Sequence, residues 1–307
     1  MAEFRRGPVR IVVPASSANL GPGFDAVGLG LDIWDEYTAM VTDDPGLLVE
    51  VEGEGAGSVP LDASHLVARS MAMALEAAGV VPTGLVLKCV NRIPHGRGIG
   101  SSASAIIGGL VLGRALLVDG ETLLSDDDLM QLAMRVESHP DNISASMFGG
   151  LTLSWVGDDG RSGTLRLELH PSIVPVVVIP DFVVPTEEAR AALPAEIPMA
   201  DVVFNISRVA LLAEALTRRP ELLVEATRDR LHQEPRRPLY AESMSLVDRL
   251  RAQGIPATIS GAGPTVLAFA TTESVDLVRA AAPVGWPVIA TAVAARGAHE
   301  VPIHPGS

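Results

Sequence analysis

Residues 94–105, PHGRGIGSSASA, constrain this chain more than any other stretch. Three glycines alternate (Gly96, Gly98, Gly100), two serines follow, and small apolar residues come next. Residues 85–90 before it are a short apolar run that predicts a strand. Residues 102–118, SASAIIGGLVLGRALLV, predict a helix. A strand–glycine loop–helix order lets backbone approach a ligand and adopt positive φ. It also offers the free N–H groups and partial positive charge of a helix N-terminus to an anion. Two familiar phosphate loops are excluded. A P-loop needs a lysine after its last glycine, whereas Gly100 is followed by Ser101, and the single lysine, Lys88, lies upstream. A dinucleotide fingerprint spaces its glycines G-x-G-x-x-G, whereas the spacing from Gly96 is G-x-G-x-G. The stretch alone leaves two readings: a third kind of anion loop, with serine hydroxyls reaching a phosphate or metal, or a serine N-cap after a flexible turn.

The flanking sequence mixes strands and helices. Residues 9–13 predict a strand ending at Pro14. Residues 37–42 and 47–54 predict a hairpin around Asp43-Asp44-Pro45-Gly46. Residues 65–78 have helical spacing and stop at Gly79, and Ser125 with three following aspartates caps a helix reaching about Glu137. Residues 151–155, 165–169, 174–179, 257–259, 266–270 and 288–294 predict strands. Residues 186–251 are mainly helical, interrupted by five prolines (Pro194, Pro198, Pro220, Pro235, Pro238), and residues 274–282 predict a last helix. This pattern is α+β or α/β. At 307 residues the chain has room for two domains, with a boundary expected between residues 155 and 175.

Composition removes several function classes. A net charge of −14 argues against a nucleic-acid partner. Cys89 is alone, so neither a disulfide framework nor a cysteine zinc site is available. The N-terminus lacks the apolar core of a signal peptide, and the longest apolar stretch, residues 106–118, is short for a membrane span and carries Arg114. The expectation is a soluble cytoplasmic protein with no membrane partner. His65, His95, His170, His299 and His304 show no metal-ligand spacing, and Trp34, Trp155 and Trp286 read as packing residues.

The loop at 94–105 has two companions. Residues 14–31 read PASSANLGPGFDAVGLGL, and residues 259–269 read ISGAGPTVLAF. In this order the three segments resemble the three motifs of the GHMP kinases, the family of galactokinase, homoserine kinase and mevalonate kinase. The resemblance covers essentially the whole chain, and the middle motif, P-x3-G-x-G-S-S-[AS], is fairly specific. Ile99 replaces the usual leucine there, and Ser104 follows the small residue. Within the family, residues 137–142 (ESHPDN) with 148–151 (FGGL), residues 183–190 (VVPTEEAR) and residues 232–237 (HQEPRR) resemble segments of the homoserine kinases, with Arg236 in place of the usual tyrosine.

The resemblance implies an α+β GHMP kinase fold. A ribosomal-S5-like N-terminal domain (1–160) would bind ATP, and a ferredoxin-like C-terminal domain (161–307) would contribute to the acceptor site. ATP phosphates would lie over Pro94, His95, Gly96, Arg97, Gly98, Ile99, Gly100, Ser101, Ser102, Ala103 and Ser104. Ser102 and Glu137 carry over as Mg2+ contacts, and Asn19, Asp25, His139, Thr186, Arg190 and Arg237 as acceptor-side residues. Asn142, with Glu137, carries over as the catalytic pair. The implied acceptor, L-homoserine, has a carboxylate, an ammonium and a primary alcohol. Arginine forks suit the carboxylate, which assigns Arg190 and Arg237; Asp25 and Asn19 supply acceptors for the ammonium. Asn142 would orient the alcohol, and its neighbour Asp141 is not assigned as a base. A homodimer is also implied. Rival readings are another small-alcohol kinase of the family, of the mevalonate or diphosphocytidyl-methylerythritol type, and a non-catalytic relative acting as a sensor, which would not need both Ser102 and Glu137.

Overall fold

The structure, a computed structural model, describes residues 3–303, so His304 lies outside the described residues. Two sheets share the chain. The first begins with β1 (Val9–Ala18), β2 (Val27–Thr42) and β3 (Gly46–Gly53), then α1 (Leu66–Ala77), β4 (Gly84–Asn91) and α2 (Ser101–Ala115). Next come α3 (Gly120–Leu123), α4 (Asp126–Ala133), α5 (Pro140–Phe148), β5 (Leu151–Val156) and β6 (Ser162–Leu167). The second sheet starts at β7 (Val174–Val178). It continues through α6 (Thr186–Ala191), α7 (Met199–Thr217), α8 (Leu223–Ala226), α9 (Gln233–Arg236) and α10 (Ala241–Ala252) to β8 (Ala257–Ile259), β9 (Val266–Ala270), α11 (Val275–Ala281) and β10 (Val288–Ala290). A last short strand, β11 (His299–Glu300), returns to the first sheet and pairs with β1.

Two expectations change in the first sheet. The opening strand does not end at Pro14. It runs on to Ala18, and the ladder with β2 shifts register between Pro14 and Ala15, because a proline without an N–H is tolerated at such an irregularity. The predicted hairpin of β2 and β3 does not form. β3 pairs in parallel with β4, and β4 pairs antiparallel with β2, so the order is β11-β1-β2-β4-β3. A parallel pair needs a crossover; α1 supplies it and lets β4 slip between β2 and β3. The 16-residue β2 then serves both ends of the layer, pairing with β4 at one end and β5 at the other.

The second sheet has the order β10-β7-β9-β8, all antiparallel. With the helices between β7 and β8 and with α11 between β9 and β10, this is the β-α-β-β-α-β arrangement of ferredoxin-like folds. In β7 the sequence VPVVV alternates between two cores. Val176 and Val178 belong to the core that holds Tyr240, Met244 and Leu250, while Val177 belongs to the one that holds Leu20, Leu29 and Leu212. Each buried valine is worth about 1.5–3 kcal/mol, and the second of these cores joins the two sheets. Division after residue 160 would cut the β5–β6 pair, since β6 stays in the first sheet. No helix among the described residues is long and apolar enough to cross a membrane.

Candidate active site

The three glycine-rich segments meet in one cleft between the sheets. It is lined by Asn19, Phe24 and Asp25 from the β1–β2 connection, by Gly96, Gly98, Gly100, Ser101, Ser102 and Ala103, and by Gly261–Gly263 from the β8–β9 turn. Gly96, Gly98 and Gly100 have φ of +66°, +79° and +76°. The alternation in the sequence therefore puts a glycine at each left-handed position. A Cβ on Gly98 would also stand 2.5 Å from Ser260 O and 2.7 Å from Gly263 O. The three segments bind one another. The Ser260 hydroxyl donates to Gly98 O at 2.6 Å and sits 2.7 Å from Ser17 Oγ. Asn19 Nδ2 donates to Gly261 O at 3.0 Å, and Ser16 N–H donates to Ile99 O at 3.1 Å.

The N-cap of α2 is Gly100, with no side-chain cap. The serine N-cap reading is thereby removed: Ser101 and Ser102 lie in the first turn, facing the cleft, and the first N–H groups of α2 are left to an anion. Not every residue of the loop does the same work. Ile99 is buried in the core shared by the sheets. Ser104 is fully buried, its hydroxyl donating to Asp35 at 3.0 Å. Arg97 reaches out to Pro180 O. Pro94 is not among the residues lining the cleft, and His95 opens onto a neighbouring hollow of about 250 Å³. That hollow is lined by Val59, Pro60, His65, Leu66, Asn91 and Ala105, and shares Ser101 and Ser102 with the cleft. His65 Nδ1 and Asn91 Oδ1 are buried there without a hydrogen-bond partner among the described residues. Sequence reasoning set His65 aside and missed Asn91, because neither belongs to a motif.

The other side of the cleft is built from charges. Arg190, on α6, grips Asp25 with both terminal nitrogens, at 2.9 and 2.6 Å. His139 Nδ1 lies 3.1 Å from Glu137 Oε1, and its Nε2 lies 3.7 Å from Asp25 Oδ2. Thr186 starts α6 and lines the cleft. Asp25 itself has φ +58°, and Asn19 φ +71°, conformations that Asp and Asn tolerate better than most residues; Asn19 Oδ1 accepts the Asp25 N–H at 3.0 Å. Asn142 lies in the first turn of α5. Its Oδ1 accepts from Ser16 Oγ at 2.9 Å, which leaves its NH2 as the group to donate into the cleft. Asp141 is buried, and burial pushes its carboxyl up to about 7, against the lowering effect of the Asn142 N–H that it accepts.

Among the predicted acceptor-side residues, one is not brought to the cleft. Arg237 donates to Glu234 at 2.8 Å and to Asp248 at 2.9 Å on the outer surface. Its neighbour Arg236 lines the cleft instead, buried, with Nε donating to Ala189 O at 2.7 Å. The reason is helical phase. His232 is the N-cap residue of α9, its Nε2–H donates to Gly21 O at 2.7 Å, and the residue four positions on shares its face. That residue is Arg236; Arg237 is turned about 100° away. Phe24 holds the cluster together: its ring lies under Arg190 and Arg236, at 5.0 and 5.3 Å, and stacks on His232 at 4.9 Å.

Among the described residues no group of three or more His, Cys, Asp and Glu side chains forms a metal cage. Ser102 and Glu137 do face the same cleft, and one hydroxyl with one carboxylate suits a hard cation that keeps waters and shares phosphate oxygens. A larger hollow, about 980 Å³, lies elsewhere, beside Arg5 and Arg114. Those two arginines are already paired with Glu300 and Asp126, and none of the three glycine-rich segments reaches that hollow.

Comparison with known proteins agrees with this geometry. Residues 65–150 match the GHMP kinases N terminal domain, and residues 207–284 match the GHMP kinases C terminal domain. The chain is 52% identical to a homoserine kinase of Streptomyces avermitilis, over 98% of each chain. It is 49% identical to one of Streptomyces coelicolor, over 98% of this chain and 96% of the other. Among solved structures, a homoserine kinase from Cytophaga hutchinsonii aligns with a TM-score of 0.85 at 24% identity, covering 97% of this chain and 99% of that one. A putative homoserine kinase from Listeria monocytogenes aligns with a TM-score of 0.77 at 28% identity, covering 96% and 100%. The chain belongs to the GHMP kinases, in the branch of that family formed by the homoserine kinases.

Proposed function

We infer that the protein transfers the γ-phosphoryl group of ATP to the side-chain hydroxyl of L-homoserine, giving ADP and O-phospho-L-homoserine. The observation that carries this reading is the meeting, in one cleft, of a phosphate-type loop with a paired acid and base and a second arginine: Asp25, Arg190 and Arg236. A zwitterionic amino acid matches that pair charge for charge. Its ammonium would take Asp25, with Asn19 beside it, and its carboxylate would take Arg190 and Arg236. Breaking the Asp25–Arg190 pair costs little when both halves of the ligand replace it, and much when only one does.

The α2 N-terminus and the loop at 94–100 would hold the ATP phosphates, and the hollow beside His65 and Asn91 would take the nucleoside. Ser102 and Glu137 would hold Mg2+, which neutralises phosphate charge when bound. Asn142 would donate its NH2 to the acceptor oxygen and orient it for in-line attack, while His139 would link Glu137 to Asp25. Phosphoryl transfer can run on positioning and charge stabilisation, so no side chain is assigned as general base. Thr186, at the start of α6, stays on the acceptor side. The family resemblance also supports a cytoplasmic homodimer, which light scattering on the purified chain would check.

ADP release should be followed with MgATP and L-homoserine, L-threonine, L-serine, 4-hydroxybutyrate, 3-aminopropanol and mevalonate. Turnover confined largely to L-homoserine is the expected result. Equal turnover of 4-hydroxybutyrate would overturn the zwitterion assignment. Turnover of mevalonate in its place would point to another alcohol kinase of the family, and ATP binding with no turnover would point to a sensor.

A further inference from the structure

A buried carboxylate behind the phosphate loop has no part in the chemistry described so far. Asp35 lies on β2 and is 1% exposed. Its Oδ1 accepts the backbone N–H groups of Arg92 and Ile93, at 2.7 and 2.9 Å. Its Oδ2 accepts from Tyr37 Oη and Ser104 Oγ, both at 3.0 Å. The four donors are neutral, and they fill the roughly four lone-pair sites a carboxylate offers. Each hydroxyl has one proton and spends it on Asp35, so the 3.1 Å approach of Tyr37 Oη to Ser104 Oγ is a close contact within the cluster.

The placement of these donors matters. Arg92 and Ile93 are the last residues before the loop at 94–100, and Ser104 is in the first turn of the helix that follows it. Both ends of the glycine loop are therefore fastened to one carboxylate on a neighbouring strand. A segment with glycines at alternate positions is the most mobile kind of backbone when its ends are free, yet an anion cradle works only when its N–H groups are already aimed. We propose that Asp35 is a positioning residue of the phosphoryl-transfer site: by clamping both ends of the loop it sets the aim of the phosphate-binding N–H groups, and it acts on nucleotide phosphates without touching them.

The clamp has an internal asymmetry. In Asp35→Asn the side-chain oxygen can still accept the two backbone N–H groups, while its NH2 meets the Tyr37 and Ser104 hydroxyls, which can rotate and accept. Asp35→Ala takes the acceptor from the part-buried Arg92 N–H and leaves the buried Ile93 N–H with nothing to donate to. Ser104→Ala releases only the helix end. The proposal rests on the reading of residues 94–100 as the phosphate loop, so the test separates the two.

Binding of MgADP and of adenosine is measured by calorimetry on the full chain, together with KM for ATP, kcat and Tm. The variants are Asp35→Asn, Asp35→Ala and Ser104→Ala. Leu129→Ala, a cavity at a buried position of α4 that does not line the cleft, is the control for lost stability. The expected result is a rise in the MgADP Kd of ~10-fold or more for Asp35→Ala, and smaller rises for Asp35→Asn and Ser104→Ala, with the adenosine Kd within about 2-fold of wild type. Leu129→Ala should lower Tm and leave both Kd values alone. If Asp35→Ala does not fold, the Asp35→Asn and Ser104→Ala pair carries the same comparison. Unchanged MgADP affinity in the Asp35 and Ser104 variants, or equal losses for MgADP and adenosine, would overturn the clamp alone. A wild-type chain that does not bind MgADP would overturn the phosphate-loop reading and the clamp with it.

Discussion

The two walls of the cleft are made of different materials. The wall proposed to hold phosphate, the phosphate wall, is backbone: Gly96, Gly98, Gly100 and the first turn of α2. The wall proposed to hold the acceptor, the acceptor wall, is side chains: Asp25, Glu137, His139, Arg190 and Arg236. The first depends on dihedral angles that only glycine adopts without strain. The second depends on which charges reach the cleft, and its members come from four separate parts of the chain. One wall should therefore fail when conformation is altered and the other when charge is altered, and the two failures should appear in different kinetic constants.

The largest effect is expected at Gly98. Gly98→Ala adds a Cβ at φ +79° against Ser260 O and Gly263 O, and kcat/KM for ATP should fall by ~10²-fold or more, with circular dichroism showing a retained fold. A fall in homoserine affinity alone would break the division of labour between the walls. Next come Arg236→Ala and Arg190→Ala. Each should raise KM for L-homoserine by ~10- to 100-fold and leave KM for ATP within about 2-fold.

Asp141 tests whether the walls share a proton. Burial raises its folded-state pKa from 3.8 to about 7, so the fold favours the protonated carboxyl. Its stabilising effect is complete below the ordinary carboxylate range and is lost as pH rises through about 7. Asp141→Asn, which never ionises, should match wild-type Tm near pH 4 and exceed it near pH 8. Its kcat should stay within ~10-fold of wild type, since a pH-dependent loss of ~10²-fold is the signature of a general base. The smallest effect is expected for Arg237→Ala. Its exposed pairs with Glu234 and Asp248 contribute little, and both KM values should stay within about 2-fold. A rise in homoserine KM there, with none for Arg236→Ala, would reverse the assignment of the two arginines.

The same contrast explains what the sequence disclosed. The glycine loop was legible because an alternating left-handed backbone can be written only as G-x-G-x-G. The strand VPVVV was legible for a similar reason, since burial on both faces leaves an uninterrupted apolar run, whereas the ferredoxin-like form of the second unit came only through the resemblance. The acceptor wall was legible only through resemblance, and there the phase of a single helical turn exchanged Arg237 for Arg236. The β2–β3 hairpin was misjudged because the turn residues 43–46 look the same whether the next strand pairs with the previous one or makes room for a third. Asp35, His65 and Asn91 gave no sign, since their surroundings come from strands and loops distant in sequence.

The return of β11 to the edge of β1 has a consequence for the order in which this protein can be made. On a ribosome, residues 9–167 emerge with their helices and most of their strands, but the outer edge of β1 near Ile11 and Val12 waits for Glu300 and His299, which lie far downstream and follow the whole second sheet. Until then the nascent first unit presents unsatisfied backbone groups along a strand edge, which is a template for joining other chains. β11 is thus the closing stitch of a sheet begun far upstream, and a chain cut short before residue 299 would be left with that seam open.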